Sequence, residues 1–225
     1  MTDVLLGRQP ILDRDERVHG YELLCRSEGD SRASALDGDR RTATVVLNAF
    51  VELGVDAPPD PGPTFVRMTA RFLLEELYLS LPKEQVVLTL GVEDDPPPAV
   101  VDALRAARMR GFRTALDRVD GRPALARPLR FVEFARVDVA ALGLDAAAAL
   151  GPTLRDAGVT PVATKVETRD AFDACRDAGY DLFQGFFFRR PDEVRARRVP
   201  TARRPVVELL TRVRDPEVDH RRHVR

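Results

Sequence analysis

Carboxylates and guanidiniums recur at matched places along this 225-residue sequence: Glu22, Arg67, Asp117 with Arg118, Arg136 with Asp138, and Glu167 just after Thr164 and Lys165. Each stands at the end of a short apolar run, and Thr89 and Gln184 end two further runs. Clustered carboxylates can hold divalent cations that activate water. Guanidiniums grip a carboxylate or phosphate through paired hydrogen bonds. In comparable numbers the two types suit either a self-paired ion network or a site for a polar anionic ligand. Other chemistries have less to build on. Cys25 and Cys175 lack metal-ligand spacing and are too few for a disulfide framework, which fits a reducing, cytoplasmic compartment. His220 and His223 form an HxxH without a further ligand beside it, and His19 lies in an extended run beside Gly20.

These residues need elements that bring them together. VLLGRQPIL and RVHGYELLCR, joined by DRDE, read as a strand hairpin. RTATVVLNAFVELG has helical apolar spacing through Val45, Val46, Ala49, Phe50 and Leu53 and stops at Gly54, before the proline-rich loop DAPPDPGP. Strands and helices then alternate: TFVRMT, the helix ARFLLEELYL, QVVLTLGV, the helix PAVVDALRAARMRG, FRTALD, a loop at DGRPALARP, the strand FVEFARVDV, the helix ALGLDAAAALGPTLRDAG, VTPVAT, the helix TRDAFDACRDAG, and DLFQG. Such alternation predicts an α/β fold on a parallel sheet, closed as a barrel or open and doubly wound. In a barrel, the polar residues at the strand ends converge on one mouth. Beyond Gly185 the Arg- and Pro-rich stretch reads as a strap, followed by a final helix at PVVELLTRVR and a polar tail. The Phe186, Phe187, Phe188 run is expected to pack on the barrel as a wall.

Composition agrees with one large globular unit: 44% hydrophobic, 32% charged, formal charge −1. Near-neutral charge gives no reason to expect nucleic acid as a partner. No stretch reaches the roughly 20 apolar residues of a membrane span, so membrane contact is not expected.

At the same strand ends the sequence resembles the EAL family of cyclic di-GMP phosphodiesterases over residues 4–190. The resemblance is carried by QPI at Gln9 to Ile11, ExLxR from Glu22 to Arg26, LDR at Leu116 to Arg118, RVD at Arg136 to Asp138, ATKVET at Ala163 to Thr168 and QGF at Gln184 to Phe186. It implies an EAL-type, TIM-like (β/α) barrel and a hydrolysis that uses two divalent cations. It also implies losses: Arg67 stands for a ligand asparagine, Thr89 at or beside a ligand glutamate, Arg118 for a second aspartate, Arg136 for the catalytic lysine and Thr164 for the probable general base. Glu93 or Asp94 could supply a shifted carboxylate.

The expectation drawn is a dismantled site, with Glu22, Asp117, Asp138 and Glu167 as catalytic remnants. No metal, no cofactor and no enzymatic activity are expected, magnesium or manganese entering only if the domain is an active phosphodiesterase. The leading function is then a protein-interaction or scaffold module in bacterial signalling, with an unknown protein partner. The alternatives are a metal-independent cyclic di-GMP receptor, with Gln9, Arg26, Arg67, Arg118, Arg136 and Gln184 as ligand-binding candidates, and an active phosphodiesterase. The resemblance further implies a homodimer. It places residues 1–200 in the barrel and 201–225 in a helix and tail like the lead-in to an HDOD domain, which is expected to be missing. Within the mouth, mutual pairing of the guanidiniums with the surviving carboxylates is the favoured arrangement.

Overall fold

A computed structural model of the chain describes residues 5–26, 62–91, 95–188 and 192–194. The expected helices at 41–54 and 205–214, the polar tail, and Glu93 and Asp94 lie outside the described residues.

β1 (Leu5–Leu12) and β2 (Val18–Arg26) form the antiparallel hairpin that the opening runs predict. Asp13 holds the turn, its carboxylate accepting from the backbone N–H groups of Asp15 and Arg17 at 2.9 Å each; a short acidic side chain folding back on its own backbone is a common turn device. Six further strands follow in parallel: β3 (Thr64–Met68), β4 (Val86–Gly91), β5 (Arg113–Asp117), β6 (Phe134–Asp138), β7 (Thr160–Thr164) and β8 (Leu182–Phe183). β8 pairs with β1 at Leu12 and Phe183, and β1 with β2, so eight strands close on themselves. The choice between barrel and open sheet is thereby decided. Closure also removes the exposed edges an open sheet would carry.

The intervening helices are α1 (Ala70–Leu74), α2 (Pro98–Met109), α3 (Ala126–Leu129), α4 (Val139–Leu142), α5 (Leu144–Asp156) and α6 (Arg169–Asp177). Thr69, Asp138 and Thr168 cap α1, α4 and α6 by accepting hydrogen bonds from Phe72, Ala141 and Ala171 N–H, which satisfies donors that a helix start leaves unpaired. α2 opens on Pro98, whose missing N–H costs nothing there.

Several elements differ from expectation. The helix beginning at Ala70 stops at Leu74, because Glu76 turns left-handed (φ 55°) and the chain continues as a 3-10 turn over Leu77–Ser80. DGRPALARP is a 3-10 turn and α3 rather than a loop, organised around the buried Leu125. The run FVEFARVDV is strand only from Phe134 to Asp138, its last residue Val139 opening α4. The stretch expected as a strap contains β9 (Asp192–Val194), antiparallel to β1 at Leu6 to Arg8; pairing uses backbone groups, which an Arg-rich composition does not reveal.

One apolar core lies between barrel and helices. It contains Leu88, Leu116, Phe172 and Tyr180, with the Tyr180 hydroxyl donating to the Ala147 carbonyl at 2.7 Å. A second, smaller one fills the lumen: Ile11, Phe65, Val87, Ala115, Phe134, Val162 and Leu182. Phe65 meets Phe134 edge to face, ring centres 5.1 Å apart, a geometry the ring quadrupoles favour. Two glycines let segments approach too closely for a side chain. A Cβ on Gly20 would collide with the Pro63 carbonyl oxygen, and one on Gly185 with the Val166 backbone.

Candidate functional site at the barrel mouth

Alternation along a strand sends every second residue into the lumen. Stepping two residues from each apolar lumen residue toward the carboxyl ends of the parallel strands gives Arg67 from Phe65, Thr89 from Val87, Asp117 from Ala115, Arg136 from Phe134, Thr164 from Val162 and Gln184 from Leu182. On antiparallel β1 the same step runs backwards, from Ile11 to Gln9, and β2 contributes Glu22, paired in register with Gln9. The result is a polar ring with one member from each strand or its immediate end. All but Arg67 are buried.

Arg136 and Glu22 come from β6 and β2, opposite sides of the barrel, and meet across the lumen. The two guanidinium nitrogens donate to the two Glu22 oxygens at 2.7 and 2.6 Å, the bidentate geometry that makes arginine suited to carboxylates. Arg136 also donates to Gln184 Oε1 at 2.7 Å, while Gln184 Nε2 donates to Glu22 Oε2 at 2.7 Å and to Gln9 Oε1 at 3.2 Å. Asp117 is ion-paired with Arg67 and lies 3.7 Å from Arg136. Burial is the largest influence on the Glu22 carboxyl and pushes its pKa up. The charge of Arg136, the hydrogen bonds from Arg136 and Gln184, and the charge of Arg67 together outweigh it and hold the carboxyl below its ordinary value. The favoured pairing of guanidiniums with carboxylates is therefore observed for Arg136 and Arg67.

Above the ring the remaining candidates separate. Asp138 is a helix cap and pairs with Lys165 at 2.8 Å; burial raises its carboxyl, and the hydrogen bond and charge of Lys165, together with hydrogen bonds from the backbone N–H groups of Ala141 and Ala140, bring it below the ordinary value. Thr164 donates to the Val137 carbonyl at 3.0 Å. Arg118 and Glu167 are exposed at the rim, and Glu167 makes no ion pair among the described residues. Arg26 lies on β2, its side chain outside the described residues. The apolar wall holds in part: Phe187 and Phe188 pack near Phe172, whereas Phe186 is exposed.

Two features escaped the sequence reading. Arg118 and Lys165, the residues just after β5 and β7, take left-handed conformations (φ 57° and 55°), strain that tends to collect at functional sites. Thr89 and Arg136 each keep a buried polar atom, Oγ1 and Nε, without a hydrogen-bond partner among the described residues. The ring itself was legible, as a polar residue two places after each lumen-facing apolar one.

The resemblance to solved structures and curated proteins is consistent. No protein-family model matches the chain. It is 32% identical over 224 residues, 98% of its length, to "Cyclic di-GMP phosphodiesterase CdgJ" of Vibrio cholerae, and 29% identical over 194 residues to "Uncharacterized protein YuxH" of Bacillus subtilis. The chain spans about half the length of these curated relatives, 52% and 47%. Among solved structures, Klebsiella pneumoniae BlrP1 with calcium and cyclic di-GMP superposes with a TM-score of 0.70 at 22% identity, covering 84% of this chain and 56% of that one; the same protein is also known with manganese. The Bacillus subtilis YkuI protein, with an EAL domain, in complex with its substrate cyclic di-GMP and calcium, gives a TM-score of 0.64 at 20% identity, over 94% and 60% of the two chains. These likenesses establish the EAL barrel fold.

Two expectations are corrected by these findings. The expectation of no enzyme is overturned by the phosphodiesterase name of the relative that aligns with nearly the whole chain. The expectation of no cofactor is overturned by the calcium and manganese held in the related structures. The physical reason is that losses counted one residue at a time do not say which carboxylates the fold still gathers. Glu22 and Asp117 sit in one ring, and Asp138 stands above them.

The ring as it stands nevertheless does not fit a divalent cation. Its two carboxylates face two guanidiniums, both Glu22 oxygens are occupied, and no three Asp, Glu, His or Cys residues cluster at ligand spacing among the described residues. No helix among the described residues is long and apolar enough to cross a membrane.

Proposed function

Because the chain belongs to the EAL family, we propose that its barrel mouth takes up cyclic di-GMP and that the domain serves the phosphodiesterase chemistry for which its Vibrio relative is named. The observation that carries this reading is the polar ring drawn from all eight strands, at the end of the barrel where this architecture places its chemistry. Gln9, Gln184 and Glu22 line one side of it. Arg67, half exposed, and Arg118 at the rim offer guanidiniums to the two phosphodiesters of the ligand. The orphaned Arg136 Nε is a buried donor that a ligand oxygen would satisfy, and Thr89 Oγ1 is a hydroxyl that a ligand group would satisfy as donor or acceptor.

Calorimetric titration with cyclic di-GMP, with manganese and with chelator, tests the binding half. Chromatography of the linear dinucleotide product with magnesium or manganese tests the hydrolytic half. Saturable one-to-one binding is expected with chelator as well as with manganese, since the ring as it stands gathers no cation-ligand cluster among the described residues. Arg67→Ala is expected to weaken binding by about tenfold, the loss of one charged hydrogen-bonding partner. Absence of both binding and product at millimolar ligand would sink the proposal. Under the same proposal residues 1–200 form the barrel domain and 201–225 a separate helix and tail. Limited proteolysis should cut near residue 200 and spare the barrel; a first cut inside β3 to β8 would contradict that division.

A further inference from the structure

Every seam of the barrel is a ladder of at least two residue pairs except the last, where β8 meets β1 only at Phe183 and Leu12. On the same edge of β1, toward the mouth, β9 takes over: Asp192, Glu193 and Val194 pair with Arg8, Gly7 and Leu6. Between the two lies a gap, Gln9 to Ile11, without a strand partner on this edge among the described residues. Pro10, in the middle of that gap, has no N–H to offer a ladder.

One side-chain bond crosses the gap. Gln184 Nε2 donates to Gln9 Oε1 at 3.2 Å, both residues being buried members of the polar ring. Gln184 directly follows β8, and Gln9 directly follows Arg8, the β1 residue paired with Asp192. Beyond Gln184 the chain turns toward β7 instead of β1. The Gln184 N–H donates to the Ala163 carbonyl at 2.8 Å, the Val166 N–H donates to the Gln184 carbonyl at 3.0 Å, and Gly185 lies against the Val166 backbone with no room for a Cβ. Among the described residues, β9 and the glutamine bridge are thus the two ties on the mouth-side half of this seam.

We propose that β9 is a clasp coupled to the ring: its pairing with β1 and the Gln9–Gln184 bridge form and break together, so that the state of the mouth is read at β9. β1 is the shared element, since a shift of its mouth-side half away from β8 moves Gln9 and the residues paired with β9 as one body. An occupant of the mouth that holds both glutamines keeps β9 on β1, and traction on the chain after Val194 releases them. The inference deepens the proposed function by giving the mouth a route of regulation, and rests on that reading for the mouth's role; its test uses no dinucleotide, so the two can fail separately.

The test is hydrogen exchange on the ligand-free full chain, read residue by residue by NMR. Gln9→Ala removes the bridge and is expected to speed exchange of the protected backbone amides of Asp192–Val194 about tenfold, the loss of roughly one buried hydrogen bond, with those of β4 and β5 unchanged. Glu193→Pro, at the centre of β9, is the reverse arm: coupling is reciprocal, so exchange of the Gln184 side-chain amide should rise by a similar factor. A β9 that is only an added strand would unpair in Glu193→Pro and leave the Gln184 amide unmoved. Unchanged β9 amides in Gln9→Ala, an unmoved Gln184 amide in Glu193→Pro, or a rise spread evenly over β3 to β6 overturns the proposal. Should Gln9→Ala not fold, Glu193→Pro alone decides.

Discussion

Two levels of the barrel lumen sit two residues apart on the same strands, yet they are held by different forces. The lower one, with Phe65, Val87, Ala115, Phe134 and Val162, is an apolar plug, in which each fully buried large side chain contributes about 1.5–3 kcal/mol through removal from water. The upper one, with Glu22, Arg67, Asp117, Arg136 and Gln184, is closed by charge pairing and amide bridges. The plug tolerates loss of a member in proportion to the cavity left, whereas a charged ring reacts to loss of one partner by stranding the other. The same closed sheet thus carries a floor held by packing and a ring held by each charge keeping its partner.

The largest effect should come from stranding a charge. Arg136→Met leaves Glu22 buried without its guanidinium and is expected to destabilise by about 3–5 kcal/mol in urea unfolding, most of it recovered in the Glu22→Leu, Arg136→Met double variant. Without recovery, the ring would be behaving like ordinary packing. Phe65→Ala tests the floor at a comparable scale, about 3–5 kcal/mol. No second substitution in the ring should restore it, because sites without shared partners act additively.

A smaller effect is expected from pH. The Glu22 carboxyl lies below its ordinary 4.5 in the folded chain, so between the folded and unfolded values the unfolded chain binds more protons. Its stabilisation is complete above pH 4.5 and is lost as pH falls through the folded value. Thermal melts of Glu22→Gln should lack that part of the acid slope; an identical slope would show that Glu22 is not the group responsible. The smallest effect separates two threonines of one ring. Thr164→Val removes the bond to the Val137 carbonyl and should cost about 1 kcal/mol, while Thr89→Val removes an unpartnered hydroxyl and should stabilise by about 1 kcal/mol. Equal signs for the two would mean that Thr89 has a partner.

Much of the fold could be read ahead, because it rests on local signals. The hairpin around Asp13, the starts of α2 and α6, and the strands Thr64–Met68, Val86–Gly91 and Thr160–Thr164 follow from turn chemistry, caps and apolar runs. α3 and β9 did not. The first depends on burying one leucine and the second on backbone pairing with a strand far away in sequence. At the mouth, the residue types could be read from the strand ends, but roles could not. Asp138 carries a carboxylate in a family motif and turns out to cap α4 and pair with Lys165. Counting substitutions along the chain suggested that neither enzyme nor metal remained, and the likeness to a named phosphodiesterase and to calcium- and manganese-bound structures overturned that count.

The sequence by itself determined which residues stand at the carboxyl ends of the strands, since a period of two and the apolar run before each one are written in the chain. Only the tertiary structure decided that Arg136 on β6 meets Glu22 on β2, 114 positions away, and that Asp117 is left to Arg67. Pairing across a lumen depends on barrel closure and on which strands face each other. Nothing in the sequence near either residue encodes that distance.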